Sequence, residues 1–287
     1  QDRNGDGEGD FGSCIFKKRN AQSYFAIQTF AAPIVQTQGT AQGFHFDNAT
    51  MKPIINNEGW KKAFELYKAT GQYGPPDELN MDIGDTRALF KAGRCGLIVE
   101  WGDPGTLQLD DDAKSIRGKM YAISAVGSTE VLDRATGKLV PVSAATAPYA
   151  VDGINYAPFA AFGGWAGAVN KGADAKTKAA AYAFLSYMNQ AAQSGVDVTI
   201  GATGYNPYRT SQLASTDLWV IAGMPKALAD NYLGAINGAI NNLNMASDMK
   251  IPGAQKYTSV VLDTELARYL AGEITVDEAL ANIEEGW

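Results

Sequence analysis

LIVEWGDPG, residues 97–105, places an apolar run, Leu97, Ile98 and Val99, directly before Glu100, Trp101, Gly102, Asp103, Pro104 and Gly105. The pattern predicts a strand that ends in a turn carrying one aromatic ring, two carboxylates and three backbone breakers. In an open α/β sheet, strand ends followed by turns are where groups are presented to a ligand. Trp101 offers an apolar face, Glu100 and Asp103 offer acceptors, and the glycines permit close backbone approach. That combination suits a sugar or polyol, whose C–H faces stack on indole while its hydroxyls donate to carboxylates. A purely structural reading, with Trp101 in the core and Asp103 in a turn, stands beside it, because the motif is short.

The whole chain narrows the classes. Its 287 residues suffice for one or two domains with a real core. With 46% apolar and 19% charged residues it is neither disordered nor membranous in composition. A net charge of −7 argues against nucleic acid as a partner. A single histidine, His45, sits in a strand-like FHF run and reads as structural. With one His and two Cys, a catalytic zinc centre or a Ser-His-Asp triad has few available parts. Cys14 and Cys95 are either two buried thiols or one disulfide, and a bridge implies an oxidising compartment. The opening QDRNGDGEGD has no apolar core of the kind a signal peptide needs.

DRNGDGEGD, residues 2–10, resembles the front of a calcium loop: Asp2, Asn4, Asp6, Glu8 and Asp10 with Gly7 at the sharp turn. Ser13 stands where a bidentate Glu is needed, so the full motif fails. Two readings remain, an incomplete Ca²⁺ site and an Asx- and Gly-rich surface turn.

Periodicity predicts helices over Tyr24–Ile34, Asn57–Thr70, Asp85–Lys91, Asp174–Gln193, Pro225–Asn242 and Gly253–Ala271, and a last helix carrying Ala279, Leu280 and Ile283. Asn57 caps the second of these, and Thr275 with Glu278 forms a capping box for the last. Phe184, Tyr187, Met188 and Ala191 form a stripe expected in the core. Val260, Val261, Leu262, Leu266 and Leu270 are expected to point inward. Strands are expected at Phe11–Phe16, Phe44–Phe46, Cys95–Val99 and Met120–Ala125, and a loop or hairpin over Glu130–Ala150. GGWAGAV at 163–169 lacks the spacing of a nucleotide-binding loop. Helices between short strands indicate an α/β chain.

Six blocks in order resemble the extracellular solute-binding proteins of the maltose-binding type, the substrate-catching subunits of ABC importers. They are DGEGDFG, FHFDNATMKPIINNEGW, ALFKAGRCGLIVEWGD, GGWAGAVNKGADAKTKAAAYAFLSYM, TGYNPYRTS and KIPGAQKYTSVVLDTELARYLAGEITVDEAL. The resemblance implies a two-lobed, periplasmic-binding-protein-like (type 2) fold with ligand between the lobes. It assigns residues 1–160 plus 215–287 to one lobe and 161–214 to a portion of the other, whose front half is not in this chain. It implies ligand contacts from Trp101, Asp103, Gly164, Trp165 and Tyr257, with Glu100, Tyr24, Gln28, Asn206 and Arg209 as further positions. It also places Cys14 and Cys95 in one lobe, where a disulfide is plausible. Because family members carry a long stretch ahead of the DGEGD block, a second polypeptide or a detached N-terminal segment is expected to complete the lobe. Apolar faces such as Phe184 and Met188 would otherwise be open.

The resulting expectation is an extracellular or periplasmic binding protein, not an enzyme, with no required cofactor. It captures a small polar solute for a membrane transporter. Two alternatives remain: the ligand-sensing ectodomain of a membrane receptor, and a glycan-active enzyme using Glu100 and Asp103. A structural or adhesion module is the blandest reading.

Overall fold

Ser23–Val35 (α1) is buried almost all round and organises the molecule. A helix apolar on every face is one the core closes over. In the computed structural model, which describes residues 2, 5–162, 164–200 and 203–287, α1 packs against Glu58–Ala69 (α2). The Asn57 side chain caps α2 by accepting from the Gly59 and Trp60 amides at 3.0 and 3.1 Å, satisfying donors that a helix start leaves open. Trp60, Phe64 and Tyr67 then share its buried face. Ile83–Lys91 (α3) begins slightly before the expected Asp85, because Asp82 and Asp85 form a capping box.

A tight 3-10 turn, Asp103–Leu109, follows the LIVEW stretch. Next come Gly127–Ser128 (β1), a hairpin of Glu130–Asp133 (β2) with Lys138–Pro141 (β3), Asn155–Tyr156 (β4) and Phe159–Ala160 (β5). Ala175–Met188 (α4), Ala191–Asp197 (α5), Thr210–Leu213 (α6), Asp217–Ile221 (α7) and Lys226–Ile240 (α8) follow. Ala246–Ser247 (β6), Asp263–Leu270 (α9) and Val276–Gly286 (α10) complete the order. β1 pairs antiparallel with β4, and β5 pairs parallel with β6. As the spacing predicts, Thr275 and Glu278 cap α10.

Three apolar clusters hold these pieces. The largest joins α1, α2, α9 and α10 through Ile27, Trp60, Phe64, Leu266, Leu280 and Ile283. A second gathers Trp219, Met224, Leu228, Tyr232 and Leu233 around α8, with Val198 in the cluster and Tyr205 and Leu213 packed against it. The third surrounds Cys14 and Cys95 with Phe90, Leu107, Ala113 and Ile116. The two cysteines are bridged, their Cα atoms 5.8 Å apart.

Buried amides tie the end of α1 to the chain's later crossings. Asn155 donates to the Pro33 and Gln36 carbonyls at 2.7 and 2.9 Å. Asn244 donates to Asn155 Oδ1 at 3.0 Å and to the Gln36 carbonyl at 2.8 Å. These bonds take up carbonyls that the helix terminus cannot use internally.

Several expected elements differ. The Phe11–Phe16 and Cys95–Val99 strands shrink to a parallel bridge, Phe11–Cys95, extended by the Cys14 amide on the Leu97 carbonyl. The other edge is taken by non-strand partners, with Gly12 and Ser13 donating to the Tyr73 carbonyl and Ile15 to Glu78. Phe44–Phe46 contributes one antiparallel bridge, Phe46–Pro53. Met120–Ala125 forms no strand. The Asn231 side chain on α8 satisfies both the amide and the carbonyl of Ala122, at 2.8 and 3.0 Å, replacing a neighbouring strand.

The expected helix Asp174–Gln193 breaks into α4 and α5 at Asn189, whose amide side chain bonds the Leu185 carbonyl. Its expected core stripe is open. No residue of α4 is buried, and Tyr182, Phe184 and Tyr187 are more than half exposed. Gly253–Ala271 is not one regular helix, because Lys256–Leu262 forms a wide π turn before α9. A wider turn advances less per residue, and Val260 consequently faces solvent, not the core.

Candidate functional site

A cleft of about 770 Å³ lies where the turn after Trp101 meets residues 161–162, 164–167 and 203–208. Its floor is a row of rings. Trp101 meets Phe25 edge-on with centroids 5.3 Å apart, Phe25 meets Phe162 at 6.0 Å, and Phe162 meets Trp165 at 5.2 Å. Phe25 is delivered by α1. Phe162 holds a left-handed backbone, φ 72°, with its amide bonded to Asp248 at 2.9 Å. Non-glycine residues rarely adopt that region, and those that do concentrate at functional sites. Gly164, at φ 98°, needs its missing side chain to make the next turn. Trp165 is 68% exposed and is oriented by its indole N–H donating to the Gly204 carbonyl at 3.1 Å.

The polar wall is built around Arg87 on α3. Its Nε donates to Glu100, its Nη1 lies 2.9 Å from Asp103 Oδ2, and its Nη2 donates to Asp103 Oδ1 at 3.1 Å. Both carboxylates are nearly buried, the Asp103 side chain at 3% and the Glu100 side chain at 4% exposure, with Asp103 bordering the cleft and Glu100 behind it. Burial pushes the Glu100 carboxyl up to about 7 against the opposing pull of Arg87, and Asp103 adds to the rise. Asn206 also lines the cleft and approaches Gly102, where a Cβ would stand 2.8 Å from its Oδ1.

The cleft thus brings together Trp101, Asp103, Gly164, Trp165 and Asn206. The other expected contacts lie elsewhere. Gln28 is fully buried, donating to the Tyr24 carbonyl at 2.8 Å and bonded to His45. Tyr24 is half-buried against Phe25, outside the lining. Arg209 is spent on Ser194 Oγ at 3.0 Å and on the Asn189 carbonyl, bracing the α4–α5 junction. Tyr257 is carried by the π turn toward Phe46 and receives the Trp287 indole N–H on its carbonyl at 3.0 Å. Phe25, Phe162, Tyr205, Tyr208 and Arg87 are lining residues that sequence reasoning missed. The one available signal was for Arg87: two carboxylates at a strand end call for a cation on the preceding helix.

At the N-terminal acidic loop, Asp2 accepts from the Gly5 and Gly7 amides at 2.6 and 3.0 Å, and Asp6 accepts from Glu8 at 2.8 Å. Asp10 and Glu8 face Arg94 at 3.6 and 3.9 Å. Asn4 lies outside the described residues. Among the described residues no three His, Cys, Asp or Glu groups converge as metal ligands.

No protein-family model and no curated sequence matches the chain. Solved structures do. A solute-binding protein of an ABC transporter from Agrobacterium radiobacter, in complex with ribitol, superposes with a TM-score of 0.62 at 18% identity, covering 96% of this chain and 58% of its own. Maltose-bound MalE3 from T. maritima gives 0.61 at 15% identity, covering 94% and 59%. The maltose/maltodextrin-binding domain MalE from Bdellovibrio bacteriovorus, bound to maltotriose, gives 0.54 at 15%, covering 100% and 61%. The chain has the fold of the two-lobed periplasmic binding proteins. It spans about three fifths of the length of these structures. Among its described residues no helix is long and apolar enough to cross a membrane.

Proposed function

We propose that the chain belongs to an extracellular or periplasmic solute-binding protein that captures a sugar, oligosaccharide or polyol in this cleft and presents it to an ABC-type importer. The observation that carries the reading is the ring row Trp101–Phe25–Phe162–Trp165 under a carboxylate wall. Aromatic faces suit the C–H faces of a carbohydrate, and Asp103 suits its hydroxyls. Ligands named for the similar structures, ribitol, maltose and maltotriose, are of this class.

In this reading residues 1–160 and 215–287 form one lobe and 161–214 part of the other, with the 198–213 end resting on α8. The open aromatic face of α4 is then covered by a further polypeptide segment of the second lobe. Glycan hydrolysis is disfavoured by the same wall. Glu100 and Asp103 share one guanidinium and lie on one side of the cleft, whereas a glycosidase needs carboxyls flanking the scissile bond.

Titration calorimetry with ribitol, D-mannitol, maltose and maltotriose, together with native mass spectrometry for co-purifying solute, tests the proposal. Saturable binding of at least one, without turnover, supports it. A folded protein that binds none of them and carries no solute overturns it.

A further inference from the structure

The central helix α1 begins without a cap of its own. Gln22 stands at the N-cap position, its side chain makes no capping bond, and the first turn carries no acidic residue. A helix start leaves amide donors open and carries the positive end of the helix dipole, so it is stabilised by acceptors and by negative charge. Both come from 240 positions further along the chain. Asp263, wholly buried, accepts from the Ser23 hydroxyl at 2.5 Å through Oδ1 and from the Asn20 amide at 2.7 Å through Oδ2. Asn20 is left-handed, φ 59°, so the turn entering α1 is tied down at its strained residue. Arg19 adds a bond to Thr264, the neighbour of Asp263, at 3.4 Å. Asp263 opens α9 directly after the π turn Lys256–Leu262, whose wider spacing sets the direction in which it points. Gln22 and Phe25, on either side of Ser23, line the cleft, whereas Asp263 does not.

We propose, resting on the solute-binding reading above, that Asp263 is a positioning residue for the cleft: it touches no solute and acts through the Asn20–Ser23 turn, holding the Phe25 ring against Trp101. The edge-on contact of Phe25 with Trp101 is too shallow in energy to fix its own geometry. Hydrogen bonds to a buried carboxylate are short and directional, and they supply the constraint that the ring pair lacks. The body of α1 is clamped by the core on all sides, so losing the carboxylate loosens only the first turn. That turn is the end that carries Gln22 and Phe25 to the cleft.

Asp263→Asn tests this, since it keeps the size and one acceptor while removing the charge. The control is Leu280→Ala on α10, which loosens the same main core without touching the turn. Two readouts are taken on the intact chain: the indole N–H resonance of Trp101 in ¹⁵N-labelled protein, assigned by its loss in Trp101→Phe, and titration with ribitol, D-mannitol, maltose and maltotriose. In Asp263→Asn the Trp101 resonance should shift or broaden, and affinity for any solute that binds should fall about fivefold or more. Leu280→Ala should leave the resonance in place and change affinity less than about twofold. Ser23→Ala, which removes one of the two bonds, should give the same effects in smaller measure, and it is the deciding variant if Asp263→Asn does not fold. If either readout in the folded variant matches the original chain, or if Leu280→Ala moves both as far, the proposal is overturned and the solute-binding reading stands. If the original chain binds none of these solutes, that reading falls instead, and the Trp101 resonance alone decides whether Asp263 sets the ring pair.

Discussion

Phe16 and Trp101 stack almost parallel, with ring centroids 6.0 Å apart and planes inclined by 9°. Phe16 is a core residue at 3% exposure, whereas Trp101 reaches the cleft. The core therefore backs the indole on one side. Replacing Phe16 by Leu should shift Trp101 without removing any cleft atom. Solute affinity should fall about three- to tenfold, tryptophan emission should move, and stability should drop by about 1–2 kcal/mol. Calorimetry and denaturant melts read the two effects separately. Unchanged affinity together with lost stability would show that the stack is packing only.

Trp165 gives the complementary case. It is mostly exposed and held by one hydrogen bond to Gly204. Trp165→Ala should leave stability within about 0.5 kcal/mol yet weaken solute binding by about tenfold or more, as expected for an aromatic anchor. A thermal melt and a titration on the same sample check both halves.

The fold was legible where local chemistry decides and obscure where it does not. The Asn57 cap and the Thr275–Glu278 box are local to their helices, and both helices stand where expected. Met120–Ala125 has strand composition, but its pairing depends on Asn231, more than a hundred residues away. The cleft was partly legible. Trp101, Asp103 and Trp165 announce themselves as aromatics and acids beside glycines. Phe25 does not, because α1 is apolar on all faces and has no phase to mark a functional side. Tyr257 was misplaced by the π turn, which re-aims every side chain it carries.

Two buried groups act on stability in opposite senses. Burial pushes His45 down to about 3 from 6.5. As pH falls between those values the unfolded chain takes the proton first, so stability is lost on acidification. Glu100 is raised from 4.5 to about 7. Between those values the folded chain holds the proton and the unfolded chain does not, so stability is lost as pH rises. The two partly cancel near pH 5–6. Glu100→Gln removes only the second effect. Relative to the original chain, the variant should gain on the order of 3 kcal/mol between pH 4 and pH 8, read from urea midpoints at the two pH values. A difference that does not change with pH would contradict the assignment.

The Cys14–Cys95 bridge closes a loop with a sequence separation of 81. Constraining a loop of that length in the unfolded chain is worth about 4 kcal/mol. Reduction, or replacement of both cysteines by Ala, should lower the guanidinium midpoint accordingly. Alkylation should add mass only after reductant. Equal midpoints with and without reductant would argue that the bridge contributes nothing to stability.

The Asn155–Asn244 amide network has a consequence for motion. It fixes the chain to α1 up to β4 and again just before β6, while Phe162 and Gly164 beyond it hold left-handed turns. The Phe162 amide is tied to Asp248 beyond β6, so a swing of the arm bearing α4 would pivot after Phe162 and at the other end near Val198, where the chain packs on α8. Trp101, Phe25 and Phe162 would then stay with the body while Trp165 moves, so on the proposed function a solute would be closed on from the Trp165 side.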